Sequence, residues 1–198
     1  MSNDRRSPGR PKTNPKGVPT RDRIIHAAES AFASRGFEGA RLEDIAEEAG
    51  IRRPSLLYHF DSKEALHEAV LNEIFTGLRE DLTAAFEPTG DLATDAETLL
   101  NAYRNFMETR PAFPALVLRG FVEQSGPGRS LFQDHLLPAF TMVEAWLGAD
   151  APDATVRRAL LLVTADNLLR AAAGEAGEAI WPNDPASGTL LAKLVLAG

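Results

Sequence analysis

The sequence contains no cysteine among its 198 residues. Disulfide bonds and thiolate metal sites are therefore excluded, and this composition is typical of a reducing compartment. No apolar run approaches the roughly 20 residues of a membrane-spanning helix, and no apolar segment of the signal-peptide kind follows the basic N-terminus. These absences predict a cytoplasmic protein that is neither exported nor inserted into a membrane.

Signs of catalysis are also scarce in this sequence. The four histidines form no metal-ligand pair at i, i+4 spacing, and no nucleophile stands in a triad or elbow context. The acidic residues Glu43, Asp44, Glu47 and Glu48 fit a solvated helix face better than acid–base chemistry, because they have no convergent partner. We therefore expect no catalytic residue, no metal, no cofactor and no enzymatic activity.

Strand-like alternation and internal repeats are missing as well. Apolar residues instead recur at helical spacing between prolines and glycines, which predicts an all-α protein. A first helix is expected from Thr20, as its N-cap, to Gly36, and Asp61 with Glu64 resembles a capping box for a later one. The longer helices are expected at about residues 62–86, 95–109, 113–124, 130–147 and 153–173, with a last one after Pro185.

The formal net charge of −7 is unevenly distributed along the chain. Residues 1–63 carry 12 Lys and Arg against 9 Asp and Glu, a net charge of +3, whereas residues 64–198 carry 9 against 19, a net charge of −10. A basic N-terminal part can neutralise DNA phosphates, and an acidic remainder resists non-specific adhesion to nucleic acid.

Residues 1–19, called the arm below, are rich in proline, glycine and basic residues, which predicts disorder in isolation. Arg10 and Lys12 flank Pro11 in a segment that resembles the Gly-Arg-Pro core of AT-hooks, which lie in the minor groove of A·T-rich DNA. A flexible basic tail that adds only electrostatic affinity explains the composition equally well. Both interpretations favour DNA as the partner.

Residues 42–60 have the pattern of a helix-turn-helix. Two short amphipathic helices meet at Gly50, where a residue without Cβ allows a left-handed turn, and Pro54 suits the first turn of the second helix. In the DNA-binding form of this motif, residues at the start of the second helix reach base edges in the major groove. The outer face of that helix carries Arg52, Arg53, Ser55, Tyr58 and His59.

A series of short motifs stands in order between Thr20 and Leu66: Ala27-Ala28, Phe32, Gly36-Phe37, Asp44-Ile45-Ala46, Ala49-Gly50-Ile51, Tyr58-His59-Phe60 and Ser62-Lys63-Glu64. With these motifs the segment resembles the tetracycline-repressor (TetR) family of bacterial transcription regulators. Two positions depart from the family pattern. Arg41 replaces the hydroxyl residue usual before the second helix, and Leu57 stands where the family has tyrosine, with Tyr58 beside it.

The resemblance implies an N-terminal three-helix helix-turn-helix DNA-binding head at 20–66. A C-terminal helical ligand-binding and dimerisation domain is expected at 67–198. It also implies that Lys63, in the first turn of the fourth helix, contacts phosphate. The candidate DNA-contacting residues are Arg10, Lys12, Thr20, Arg41, Arg52, Arg53, Ser55, Tyr58, His59 and Lys63.

Residues 156–173 are apolar on nearly every side, so a helix here requires burial on two faces. A second subunit explains this economically, and the resemblance likewise implies a dimer formed by the last two long helices. The alternative is the central helix of a monomeric bundle. The candidate interface residues are Leu160, Leu161, Val163 and Leu168.

Aromatic residues and methionine are concentrated in the middle of the chain, where most must be core. The resemblance implies a small-molecule site among these helices, with Arg104, Arg119, Asn167 or His135 as polar contacts. The candidate pocket residues are Tyr103, Phe106, Met107, Phe113, Leu116, Phe121, Phe132, Phe140 and Trp146.

The sequence thus predicts a homodimeric DNA-binding transcriptional regulator with a palindromic operator. The resemblance suggests a repressor that a small apolar or amphipathic molecule releases. An enzyme that uses the aromatic helical cavity and a non-specific architectural DNA-binding protein are the alternatives.

Overall fold

The structure is a computed structural model that describes residues 18–122, 131–147 and 154–175. Every regular element in these ranges is helical, which confirms the all-α prediction. The arm's Arg10 and Lys12 and the helix expected after Pro185 lie outside the described residues. The elements are α1 (Thr20–Gly39), α2 (Leu42–Glu48), α3 (Arg53–His59), α4 (Lys63–Ala85), α5 (Leu92–Thr109), α6 (Ala112–Val122), a π-helical segment (Leu131–Leu136), α7 (Leu137–Trp146) and α8 (Ala154–Ala173).

Helix α1 begins one residue earlier than the sequence indicates. Pro19 is its N-cap, without a side-chain capping bond. The hydroxyl of Thr20 instead accepts a hydrogen bond from Nη2 of Arg23 at 3.3 Å. Gly36 interrupts the helix with φ 72°, and one further turn follows it. The predicted end at Gly36 therefore marks a kink, for which glycine is suited because it lacks Cβ.

Helix α4 confirms the predicted long fourth helix, but its cap differs from the prediction. The side chain of Ser62, and not that of Asp61, accepts from the backbone N–H of Ala65 at 3.1 Å. This is the usual N-cap arrangement shifted by one residue. Hydrogen bonds from the backbone and from Ser62 lower the pKa of Glu64.

Helix α5 starts three residues before the predicted position. Asp91 caps it by accepting from the backbone N–H of Thr94 at 3.0 Å. The side chain of Asp95 is buried and accepts from the N–H and hydroxyl of Thr89 at 2.9 and 2.7 Å. Asp95 therefore stabilises the turn before α5 and is not the residue at which α5 begins.

A continuous apolar core links the N-terminal helices to the rest of the described chain. It runs from Ile24 in α1 through Leu56 in α3 and Phe75 in α4 to Phe113 in α6. Helix α4 contributes a stripe of buried residues along its length, and α1 packs against both α4 and α6. The boundary between residues 66 and 67 stays a prediction, but α4 provides a rigid connection across it.

Helix α8 buries one side and exposes the other. Leu160, Val163 and Leu168 are at most 5% exposed, so they pack within their own chain, and their place in a dimer interface stays a prediction. Leu161 is 45% exposed. Helical periodicity identified an apolar helix but could not show which side packs on its own chain. No helix in the described ranges is both long and apolar enough to span a membrane.

Candidate nucleic-acid interface and internal cavity

The turn between α2 and α3 has the geometry that the sequence predicts. Gly50 adopts φ 70°, and the N–H of Ile51 donates to the carbonyl of Ala46 at 2.9 Å. Nη1 of Arg23 in α1 donates to the carbonyl of Ala49 at 2.9 Å. Because α1 holds the turn at this carbonyl, the direction of α3 is fixed relative to the other two helices.

Helix α3 has one buried and one exposed face. Leu56 is completely buried beneath the turn, and Pro54 lies in the first helical turn as predicted. Tyr58 is 86% exposed, and its ring meets that of His59 edge-to-face with centroids 5.7 Å apart. The predicted residues at and in α3 are all exposed: Arg52, Arg53, Ser55, Tyr58 and His59.

Two ion pairs connect the first turn of α2 to its neighbours. Nε of Arg53 lies 3.0 Å from Oε1 of Glu43, and Arg35 in α1 pairs with Asp44. The sequence predicts a solvated face for these acidic side chains, and both are substantially exposed. Their arginine partners are not evident from the sequence, because each pair joins two different helices.

The remaining candidate DNA contacts in the described residues, Lys63, Arg41 and Thr20, lie outside α3. Nζ of Lys63 donates to the carbonyl of Glu38 at 3.2 Å and lies 4.6 Å from the centroid of the Phe37 ring. Arg41 precedes α2 as its N-cap and is exposed. The hydroxyl of Thr20 accepts a hydrogen bond from Arg23. Their contact with DNA stays a prediction.

Helix α6 is attached to α1 by an arginine whose role the sequence did not indicate. Nε of Arg119 donates to the carbonyl of Ala33 at 2.7 Å, and its Nη2 donates to the carbonyl of Ser34 at 2.6 Å. Both carbonyls lie just before the kink at Gly36. Arg119 therefore connects the C-terminal helices to α1 at the point where α1 bends.

A second polar contact joins α1 to the C-terminal helices. Nη1 of Arg110, which follows α5, lies 3.6 Å from Oε2 of Glu29. Burial raises the pKa of the Glu29 carboxyl, and the nearby Arg110 partly offsets that rise. The Arg110 guanidinium also lies 5.8 Å from the centroid of the Phe106 ring.

A cavity of about 520 Å³ lies among α4, α5, α6, α7 and α8. Pockets of ~300–1,000 Å³ accommodate small organic ligands. The structure places four of the predicted pocket residues on its wall: Tyr103, Phe113, Phe121 and Phe140. Other lining residues that the prediction missed include Phe75, Leu78, Leu99, Leu100, Leu118, Val143 and Leu169.

Four predicted pocket residues do not line this cavity. Met107 and Leu116 are 6% and 5% exposed in the main core. Phe106 packs edge-to-face on Phe113 with centroids 5.2 Å apart, and Trp146 stacks on Phe86 at 4.8 Å. These rings fill space between helices. The side chain of Phe132 lies outside the described residues.

Polar groups on the cavity wall are few and largely satisfied. Arg157 forms two hydrogen bonds to the carboxylate of Glu144, at 2.6 and 2.5 Å. Thr164 donates to the carbonyl of Leu160 at 2.6 Å. Burial raises the pKa of the Tyr103 phenol, so Tyr103 remains neutral. The wall consequently favours an uncharged apolar occupant.

The polar contacts predicted for a ligand are not on the cavity wall. Arg104 donates from Nε to Oδ1 of Asn167 at 2.9 Å, which ties α5 to α8. His135 is 2% exposed and stacks on Phe75 with centroids 5.1 Å apart. Arg119 contacts α1 as described above. These residues hold the helices around the cavity, and Arg157 is the cation that lines it.

Comparison with known proteins gives matches over part of the chain. Residues 24–70 match the family described as bacterial regulatory proteins, tetR family. The HTH-type transcriptional regulator RutR of Escherichia coli strain K12 is 39% identical over 100 residues, which cover 49% of this chain and 47% of RutR. The negative transcriptional regulator IcaR of the icaADBC biofilm operon, from Staphylococcus aureus strain Newman, is 44% identical over 48 residues, 24% of this chain and 26% of IcaR. The chain thus spans about half the length of RutR.

Solved structures resemble the chain over most of its length. A TetR-like transcriptional regulator from Rhodococcus sp. RHA1 has a TM-score of 0.71 at 21% identity, covering 94% of this chain and 100% of the other. A putative transcriptional regulator from Streptomyces coelicolor has a TM-score of 0.59 at 26% identity, covering 90% and 96%. The shared architecture therefore extends beyond α1–α4 into the C-terminal helices.

Proposed function

We propose, from the match of residues 24–70 to the family of bacterial regulatory proteins described as tetR, that the protein is a sequence-specific DNA-binding transcriptional regulator. The observation that carries the proposal is the exposed outer face of α3, with Arg52, Arg53 and Ser55 at the start of the helix. That is where recognition helices of helix-turn-helix proteins contact base edges. Negative regulation is the activity that IcaR's name states, and we propose it for this chain.

Selection of bound sites from a random DNA library tests this proposal. A sequence-specific regulator should enrich one consensus, and a two-fold dimer should enrich a palindromic site whose half-sites lie about one helical turn apart, ~34–36 Å, or a multiple of it. Enrichment without a consensus would instead indicate an architectural DNA-binding protein.

Replacement of Arg53 by alanine tests the role of α3 directly. If the guanidinium contacts guanine, Arg53→Ala should lower affinity by about 1–3 kcal/mol and relax the preference at one position per half-site. Lys63→Ala serves as the matched control, since loss of a phosphate contact should weaken all sequences equally and reduce the salt dependence. Competition binding with duplexes substituted at each position measures both effects. If Arg53→Ala leaves the base preference at every position unchanged, Arg53 does not take part in base recognition.

A small apolar or amphipathic molecule bound in the cavity is proposed to release the protein from its operator. Helix α6 contributes Val117, Leu118 and Phe121 to the cavity wall and Arg119 to the contact with α1. An occupant that displaces α6 must therefore act on α1 at its kink. By thermodynamic reciprocity, DNA weakens ligand binding by the same factor by which the ligand weakens DNA binding.

Loss of the Arg119 contact should uncouple the two sites. In Arg119→Ala the carbonyls of Ala33 and Ser34 lose their hydrogen bonds from α6. The ligand should still bind in the cavity, but it should no longer lower the affinity for the operator. A functional coupling in regulators of this kind is ~5–150-fold. Arg158→Ala, which removes an exposed arginine from α8, is the control. If the ligand lowers the operator affinity of Arg119→Ala as much as that of the wild type, the coupling does not depend on Arg119.

A further inference from the structure

Glu43 and Arg53 form an ion pair across the helix-turn-helix. Glu43 lies in the first turn of α2, and Arg53 is the first residue of α3. Their side chains are 61% and 53% exposed, and Nε of Arg53 is 3.0 Å from Oε1 of Glu43. Ion pairs this exposed contribute little to folding stability. The position of this one, at the start of the proposed recognition helix, indicates a role in recognition.

The atoms that form the ion pair determine which edge of the Arg53 guanidinium is available to contact a base. Arginine presents its N–H groups in a rigid planar fork. The Glu43 carboxylate contacts that fork at Nε, and this contact does not use the edge formed by Nη1 and Nη2. Two N–H groups on one edge match O6 and N7 of guanine, the commonest specific arginine contact.

We propose that Glu43 is a positioning residue for base recognition, which holds Arg53 at Nε so that Nη1 and Nη2 are presented to a guanine. The inference rests on the proposed DNA-binding function. Holding the long arginine side chain before DNA arrives reduces the rotamer entropy that binding would otherwise cost. The Glu43 charge also repels the DNA phosphates, and this repulsion acts on every sequence alike.

These two effects of Glu43 have opposite signs, which gives the proposal a specific signature. Glu43→Gln keeps the side-chain size and removes the charge, so that Nε of Arg53 is left with only a weaker, neutral acceptor. Affinity for non-specific DNA should therefore rise, while the preference for guanine at the Arg53-contacted position should fall. A bidentate contact discriminates against the wrong base by ~5–150-fold, and we expect Glu43→Gln to lower that ratio at least ~3-fold.

Glu47→Gln provides the matched control. Glu47 is exposed, one helical turn after Glu43 on the same helix, and its replacement removes the same charge. It should raise affinity for all duplexes alike and leave the guanine preference unchanged. The experiment measures full-length protein binding to the selected duplex and to duplexes with each alternative base at the position that depends on Arg53. Thermal unfolding of each variant verifies that the helix-turn-helix is folded.

A double-mutant comparison separates positioning from a direct contact of Glu43 with DNA. In an Arg53→Ala background, Glu43→Gln should no longer alter base preference, because the side chain that Glu43 positions is absent. A guanine preference that survives Glu43→Gln, or one that Glu43→Gln lowers equally without Arg53, would overturn the inference while the DNA-binding function stands. A wild-type protein without any sequence preference would overturn both.

Discussion

Replacing Leu161 and Leu169 by glutamate is expected to lower operator affinity by roughly 10²–10⁴-fold, the advantage that linking two binding modules provides. The two leucines are 45% and 44% exposed on α8, where they also border the cavity, and Leu162 beside them is 56% exposed. Three large exposed apolar residues on one face of a helix exceed the scattered exposure that monomers commonly show. We propose that a second copy of the chain covers this face in a homodimer.

The loss follows from the geometry of a two-fold protein on DNA. A dimer contacts two half-sites at once, whereas a monomer contacts one half-site and loses the binding free energy of the second. Two glutamates on a surface that a partner buries would leave unpaired charges there, which opposes association. Sedimentation equilibrium and operator titration on the same samples measure both consequences.

Val122→Glu is the control for added charge on an exposed apolar position. Val122 is 80% exposed at the end of α6, and its replacement should leave both the dimer and the operator affinity intact. Operator binding at wild-type affinity by a double glutamate variant that sediments as a monomer would contradict the dimer proposal.

Filling the cavity is expected to abolish the ligand response without affecting DNA binding. Val143 lies on α7 at the cavity wall, and Val143→Trp places an indole in the space that a ligand requires. Steric conflict of ~1–3 kcal/mol, the usual consequence of overpacking, corresponds to ~5–150-fold weaker binding. The uncharged fluorescent probe N-phenylnaphthylamine suits this apolar wall and reports occupancy directly.

Ala145→Trp on the same helix is the matched control, since Ala145 is exposed and absent from the cavity wall. That variant should bind the probe as the wild type does. Operator affinity without probe should be equal in all three proteins. If the probe occupies the wild-type cavity and operator affinity does not fall, release through this cavity is wrong for that class of molecule.

The helix-turn-helix was predictable because its signals are local. Gly50 supplies the positive φ of the turn, and Pro54 fits the first turn of α3, so neighbouring residues determine both features. Helix existence was likewise predictable from apolar spacing. The starts of helices were less predictable, because several adjacent polar residues can each cap a helix. Ser62 caps α4 where the sequence favoured Asp61, and Asp91 caps α5 three residues before the approximate start expected at residue 95.

The cavity and the interhelical contacts were only partly predictable, because they depend on tertiary packing. An apolar residue such as Phe106 has the same sequence pattern whether it fills the core or lines a cavity, and only the helix arrangement separates it from Phe113. The bonds of Arg119 to Ala33 and Ser34 join residues more than 80 positions apart. Such contacts leave no periodic signal in the sequence.

Equilibrium binding of the full-length protein to its selected duplex and to a shuffled duplex of the same composition, at one salt concentration, tests the central claim most directly. A sequence-specific regulator should bind the selected duplex ~10³-fold or more tightly than the shuffled one. Equal affinities for the two duplexes, with the same salt dependence, would contradict the account, because phosphate contacts alone would then explain the binding.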